Sequence, residues 1–329
     1  MNLSRHKISS ERKTLSGQPS QRGSKGSLPT LGAFLLGGVF VAAGTAILCI
    51  GLKVLPVDPK TVHAPYWVLS AVGTVFGLAG LAIMNIGLQQ YLGGKRLREN
   101  ARRFPDEFAF QDYNWDQRGF TPPRWKPAIY AVGGVAFLAL FLSMFNWWAF
   151  FARGPFMVKA IVVLFDLILL AFAVQAVQRV AHAIKFGGSQ IKFLEFPCRV
   201  SKPIELRWKP ATGMVRANKG TFTLRCVEEF WVASGSGKSR SRRLVHEELW
   251  SGTKLLEEPH TFSRGEEINL RFELSGHPPS THLSADRPIF WELEIKLDLP
   301  GLDFEERYLV PIYGTAKTAS QVGNMTLPN

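Results

Sequence analysis

The run at residues 156–183, FMVKAIVVLFDLILLAFAVQAVQRVAHA, limits what this chain can fold into more than any other stretch. At about 1.5 Å per residue it is long enough to cross a hydrocarbon core of about 30 Å. It carries one acid, Asp166, close to its middle, and the chain changes character just beyond it. Apolar residues concentrate before Ile184; charges concentrate after it. The near-zero mean hydropathy of +0.04 averages over that division and hides it.

Three earlier runs have the same character. Residues 31–52 are apolar and uncharged, too long for a cleaved signal peptide and without a small-residue cleavage site after them, so a retained helix is expected. Residues 66–88 open on Tyr66 and Trp67, and residues 127–151 close on Asn146, Trp147 and Trp148. Both are places where an amphipathic ring settles at the headgroup level. Ala152, Arg153, Gly154 and Pro155 then make a short turn into the fourth span, which makes spans three and four antiparallel neighbours.

The formal charge of +13 is explained by where the charges fall. Residues 1–30 carry six Lys and Arg against Glu11 alone, and Lys95, Arg96, Arg98, Arg102 and Arg103 crowd the end of the second span. Arg179 and Lys185 mark the exit of the fourth, whereas the loops after spans one and three are sparse in charge. Basic loops face the cytoplasm, so both termini are expected there. Residues 1–30 read as a disordered basic tail. Residues 89–126 read as a cytoplasmic loop whose EFAFQDYNWDQRGFTPPRW segment makes an interfacial helix and a turn.

Inside the spans, polar residues and glycines are the informative ones. Gly73, Gly77, Gly80 and Gly87 share one face of span two, where small residues let another backbone approach. Another helix of this chain and a helix of a second copy are both open as the partner. Asp166 must be paired or protonated at that depth, because an ionised carboxylate costs at least about 2.5 kcal/mol there. Lys159 lies two turns before it, Gln175 and Gln178 lie further along, and Asn85 in span two is a further polar partner. Two readings stand: a register-fixing hydrogen bond to Asn85 or a backbone carbonyl, and a titrating group in a transporter or channel subunit.

From Ser189 onward the period falls to two. Ile289, Trp291, Leu293, Ile295, Leu297 and Leu299 alternate with Phe290, Glu292, Glu294, Lys296 and Asp298, which reads as one buried and one wet face. Residues 268–274 alternate similarly, and further runs lie at 191–196, 204–208, 221–232, 243–250 and 306–312. Strands of this number and length, separated by Gly, Pro and Ser turns, predict an antiparallel β-sandwich.

The segment IFWELEIKLDLPGLDFEERYLVPIYG at 289–314, preceded by TFTLRCVEEFW and HEELW, resembles a bacterial multi-pass membrane protein family with a C-terminal arrestin-like β-sandwich domain. The resemblance is limited to about the last 130 residues. It implies a protein-interaction scaffold in a bacterial inner membrane and carries over no catalytic residue.

Motifs of chemistry are absent or broken. Ser234-Gly-Ser-Gly-Lys-Ser239 ends like a phosphate loop, but Val232 occupies the first glycine position, and its side chain blocks close backbone approach. That segment reads as a hairpin tip whose Lys238, Arg240, Arg242 and Arg243 suit anionic lipid or an acidic partner. His246, Glu247 and Glu248 lack the second histidine of a zincin, His277 and His282 lack companion ligands, and Glu228, Glu229, Glu247 and Glu248 read as solvated strand acids. Cys49, Cys198 and Cys226 have no disulfide or metal spacing.

The expected architecture is an α-helical membrane bundle of four transmembrane helices (31–183) followed by an all-β antiparallel sandwich, arrestin-like or immunoglobulin-like (184–315), and a flexible tail (316–329). The expected function is a membrane-anchored scaffold or adaptor, not an enzyme, with no cofactor, metal or nucleic acid. Its partners would be membrane lipids, a cytoplasmic protein and, through the glycine face, another copy.

Overall fold

The change from helical to strand period is borne out in the computed structural model, in which four long apolar helices are followed by antiparallel β-sheets. It describes residues 3–9, 11–15, 29–58, 62, 65–152, 155–234, 241–263, 265–276 and 278–314. The chain forms two units, one helical (Gly26–Gly94 and Arg124–Ala183) and one rich in strands (Met1–Lys25, Lys95–Pro123 and Ile184–Asn329).

In the helical unit, α1 spans Thr30–Gly51 and α2 begins at Tyr66 and runs to Arg103. A further helix, α4 (Trp125–Asn146), continues through a π-helical turn at Trp147–Phe151, and α5 covers Phe156–Phe186. All four are long and apolar enough to cross a membrane. Much of their apolar surface points outward: Leu31, Val39, Leu167 and Val177 are exposed. An outward apolar face of that extent suits lipid and would associate in water. The aromatic rings expected at one level do meet, Trp67 edge-on to Trp147 with centroids 5.6 Å apart.

Helix α2 continues well beyond the apolar run expected at 66–88. Residues 95–103 are mostly Lys, Arg, Leu, Glu and Ala, which are good helix formers, Lys95 and Glu99 pair one turn apart, and no proline intervenes until Pro105. The charged segment expected to be loop therefore starts as helix.

Among the described residues, the strand-rich unit holds fourteen strands. Two belong to the segment expected to be a disordered tail: β1 (Ser4–Ser9) and β2 (Lys13–Leu15). They pair with β9, whose main-chain groups fix them although their own sequence is polar. The rest of that tail, and the tail expected at 316–329, lie outside the described residues. Two more elements come from the segment between α2 and α4: a short helix α3 (Phe108–Asp112) and strand β3 (Gly119–Phe120). The remainder are β4 (Gln190–Phe193), β5 (Cys198–Arg199), β6 (Ile204–Lys209), β7 (Arg216–Ala217), β8 (Lys219–Ser234), β9 (Ser241–Leu256), β10 (His260–Thr261), β11 (Ile268–Phe272), β12 (Ile289–Asp298), β13 (Phe304–Val310) and β14 (Ile312–Tyr313).

One sheet runs β1-β9-β8-β12-β13, with β2 also on β9, and a second runs β11-β6-β4-β3. Inward residues of both share one core: Phe222, Leu224, Trp291, Leu293 and Phe304 from the first, and Ile191, Leu206, Trp208 and Leu270 from the second. Two core hydroxyls are satisfied together, since Tyr308 Oη accepts from Trp208 Nε1 at 3.2 Å and shares a 2.7 Å bond with Ser189 Oγ. Cys198 and Cys226 are buried and free, and burial with Glu195 nearby pushes the Cys198 thiol up to about 12.

The first sheet is covered on its other face too. Phe290, Val227 and Leu309 of that face pack with Ala109 of α3, Trp115, Leu283 and Tyr313 in a second cluster. The expected interfacial helix is thus a piece of the strand-rich unit, with its apolar side against β residues.

Candidate functional site

The polar residues expected to matter inside the spans are distributed differently from the sequence expectation. Asn146 in α4 donates from Nδ2 to Asp166 Oδ1 at 3.0 Å, and the same amide reaches the Leu142 carbonyl at 3.2 Å. Asn85 is exposed on α2, so it is not the partner of Asp166, and Gln175 and Gln178 are also exposed. Lys159 and Asp166 are half-buried. The clasp therefore joins the two helices of the tight turn, α4 and α5. Asn146 lies at the end of span three beside Trp147 and Trp148, and nothing local marks it as the partner of Asp166.

The glycine face of α2 packs within the chain. A Cβ at Gly73 would strike the backbone of Gly44 and Leu48, and one at Gly80 would lie 2.7 Å from the Gly37 carbonyl oxygen. Gly87 faces Ala33, with a Cβ there 3.1 Å from the alanine methyl. Gly37, Gly44 and Gly51 of α1 repeat every seven residues, as do Gly73, Gly80 and Gly87, so two antiparallel helices meet along matching stripes. Gly77 is the exception, since a Cβ there would meet open space. The expected second copy finds this face already occupied by α1.

Lys238 and Arg240 lie outside the described residues, and Arg242 is described only as strand backbone. Arg243 is exposed on β9 near the end of the β8–β9 ribbon. β12 pairs with β8 only as far as Glu228, so the ribbon projects past the sheet, and there Trp231 is 51% exposed beside exposed Val232.

The main concentration of buried polar chemistry is on the covered face of the first sheet, where the alternating acids were expected to be wet. Arg225 donates from Nε to Glu292 Oε1 at 2.6 Å and through its other nitrogens to Glu294 at 3.1 and 3.3 Å. Arg307 adds a 3.0 Å bond to Glu294. Burial pushes the Glu292 carboxyl up, opposed by Arg225; burial also pushes Glu294 up, but Arg225, Arg307 and Lys296 outweigh it and hold it below the usual range. Glu229, expected to be solvated, is buried against His246 with Oε2 3.0 Å from Nε2. The register puts them together: Cys226 pairs with Trp250 and Val227 with Glu248, so β9 carries one extra residue, Leu249, and His246 turns to the face of Glu229.

A second network ties α3 to this unit. Asp112, 5% exposed, accepts from the Leu283 N–H at 2.8 Å, the Ser284 N–H at 2.6 Å and Tyr313 Oη at 2.9 Å. Tyr313 Oη in turn accepts from Trp115 Nε1 at 2.9 Å, and burial beside the Asp112 carboxylate pushes the Tyr313 hydroxyl up. Asp112 holds the segment from the α2–α4 connection onto the strands. Replacing it with alanine strands the buried Leu283 N–H and the Tyr313 hydroxyl, each costing about 1–3 kcal/mol, and leaves the N–H of exposed Ser284 to water. Hydrogen exchange at Leu283 and Ser284 should rise at least tenfold in Asp112→Ala, with Asp112→Asn between it and the native chain; unchanged exchange would mean the carboxylate is not the tie.

An open groove of about 630 Å³ lies at the end of β8, β9, β12 and β13, with Lys219, Lys296, Asp298, Asp303 and Glu305 among its lining. Among the described residues, the buried acids Glu229, Glu292, Glu294 and Asp112 and the buried His246 are engaged in structural pairs.

No protein-family model matches the chain, and no curated protein matches it. Among solved structures it is similar to the crystal structure of Spo0M, sporulation control protein, from Bacillus subtilis. That match covers 42% of this chain and 54% of the other at 12% identity, with a TM-score of 0.24. The chain thus spans about half the length of that protein.

Proposed function

We propose that this chain is a multi-pass protein of the bacterial inner membrane whose strand-rich unit is a cytoplasmic arrestin-like sandwich that binds a partner protein and carries out no chemistry of its own. The topology rests on one observation. Residues from before α1, from between α2 and α4, and from after α5 fold into a single unit. Segments of one folded unit lie on one side of a membrane, and these are the segments that carry the basic flanks. Even crossing numbers between them follow directly.

The binding role rests on what the strand-rich unit does with its polar and apolar groups. Arg225, Glu292, Glu294, Glu229, His246 and Asp112 are tied into buried pairs that hold the fold together, while the projecting ribbon leaves Trp231 and Val232 exposed beside Arg243. Exposed tryptophan beside arginine is the usual composition of a contact hot spot.

The test is crosslinking and capture from native membranes, with the full chain against the full chain carrying Trp231→Ser and Val232→Thr. Truncation after Lys185 would be a poor control, since it would leave β1, β2 and β3 without the strands they pair with. A defined set of proteins lost in the double variant is the expected outcome. Equal capture by both chains would remove the ribbon as the contact surface, and capture of nothing by either would remove the adaptor role.

A further inference from the structure

The edge of β9 is occupied by the chain's own first residues, and the occupant is held lightly. Pairing runs Ser4 with Leu255, His6 with Lys254, Lys7 with Thr253, Ile8 with Gly252 and Ser9 with Ser251, then Lys13 with Glu248, Thr14 with Glu247 and Leu15 with His246. The register slips between Ser4 and His6. Among the described side chains of this segment, apolar anchorage is limited to Leu3 and Leu15, each partly buried, and Ile8, which is 37% exposed. The Arg12–Glu247 ion pair, 3.7 Å long, has an arginine that is 72% exposed, so it adds little. On its other side β9 pairs with β8 along nearly its whole length, over fully buried Phe222, Leu224 and Cys226.

The composition of this occupant indicates what the edge accepts. Residues 3–15, LSRHKISSERKTL, contain four Lys and Arg and one acid, and Lys13 and Thr14 are paired with Glu248 and Glu247. Main-chain hydrogen bonds give a sheet edge its affinity for an added strand, and the side chains beside it give selectivity.

We propose that the outer edge of β9, from His246 to Leu255, is a docking edge for a basic, extended peptide of a partner protein, and that residues 3–15 hold it in the resting chain as a displaceable mimic. This rests on the adaptor reading and names the chemistry of its partner: a strand-forming segment with two basic residues to meet Glu247 and Glu248, and small or polar residues along Ser251 to Thr253. Release of the chain's own strand is then the step that opens the site.

The probe is a fluorescein-labelled peptide of sequence LSRHKISSERKTL, titrated by anisotropy against the full chain in phosphatidylcholine nanodiscs, whose neutral surface does not compete for the basic peptide. Leu3→Asp with Leu15→Asp loosens the resident strand without altering β9, and binding should tighten at least tenfold over the native chain. Ser9→Cys with Ser251→Cys joins two directly paired residues; its oxidised form should bind at least tenfold more weakly than its reduced form. Glu247→Lys with Glu248→Lys should weaken binding in the loosened background. Equal binding by the oxidised and reduced chains would place the peptide elsewhere and overturn the proposal, as would no binding by the loosened chain. If the Trp231 and Val232 variant still loses its captured partners while the locked chain binds peptide unchanged, the adaptor reading stands and the β9 edge is excluded.

Discussion

Arg225→Ala lowers the unfolding free energy of the strand-rich unit by about 3–5 kcal/mol, because it leaves the buried Glu292 without its hydrogen-bonded cation, beside a Glu294 that keeps only Arg307 and Lys296. Glu292 is fully buried and Glu294 nearly so, and the guanidinium bonds both. At about 2–4 °C per kcal/mol for a unit of this size, the tryptophan-fluorescence midpoint in detergent should fall by on the order of 10 °C. Arg225→Met combined with Glu292→Leu should recover part of the loss, since it removes one buried carboxylate together with the cation. A loss below about 1 kcal/mol would mean that water reaches the acids and the cluster is not a buried one.

The same cluster gives the loss a pH dependence of known sign. In the native chain Glu294 is held below its usual range, so its contribution is present above the range of an unfolded carboxylate and is lost as pH falls through its folded value. Glu292 is pushed up, so its contribution has the opposite sign, present in acid and lost as pH rises. Without Arg225 both carboxyls rise and take up protons more readily. The gap between native and Arg225→Ala should therefore be widest near neutral pH and narrow toward pH 4, as read from the two midpoints on one pH series.

Gly73→Val separates α1 from α2, whereas Gly77→Ala, four residues away, leaves them together. The Cβ at Gly73 meets backbone of Gly44 and Leu48, which cannot rotate aside as a side chain would, so the helices must part and give up the close contact along the whole stripe. Overpacking costs typically about 1–3 kcal/mol, and a backbone obstacle puts this site at or above the top of that range. At Gly77 the added methyl group has room. Disulfide trapping reads the difference: Ala33→Cys with Gly87→Cys crosslinks in the native and Gly77→Ala backgrounds and fails in Gly73→Val. Equal trapping in all three would show that the stripe is not what sets the helix separation.

Much of the plan was legible in the sequence. A span is uniformly apolar over about twenty residues and a strand alternates every two, so α1, α4, α5 and the strands β4, β6, β8, β9, β11, β12 and β13 sit close to where periodicity predicts them. Such signals are carried locally by side-chain chemistry and need no partner to be read. The seven-residue glycine stripe is present in α2 and equally in α1, at Gly37, Gly44 and Gly51.

The sites were less legible, because each depends on what lies opposite. Glu292 and Glu294 alternate with Trp291, Leu293 and Ile295 as acids on a wet face would, and an antiparallel sheet often has such a face. Only the fold brings Ala109, Asp112 and Trp115 across that sheet, from a segment more than a hundred residues earlier, and turns the wet face into a buried one. Once water is excluded there, an unpaired charge becomes costly, and Arg225, Arg307 and His246 become the partners those acids require. The choice of Asn146 over Asn85 for Asp166, and of a polar segment such as SRHKIS for a strand, was settled in the same way. Local sequence by itself determined which elements exist and which segments are apolar enough to cross a membrane. Tertiary structure decided which faces lose water and which groups pair, because desolvation and hydrogen bonding depend on residues brought together from distant parts of the chain.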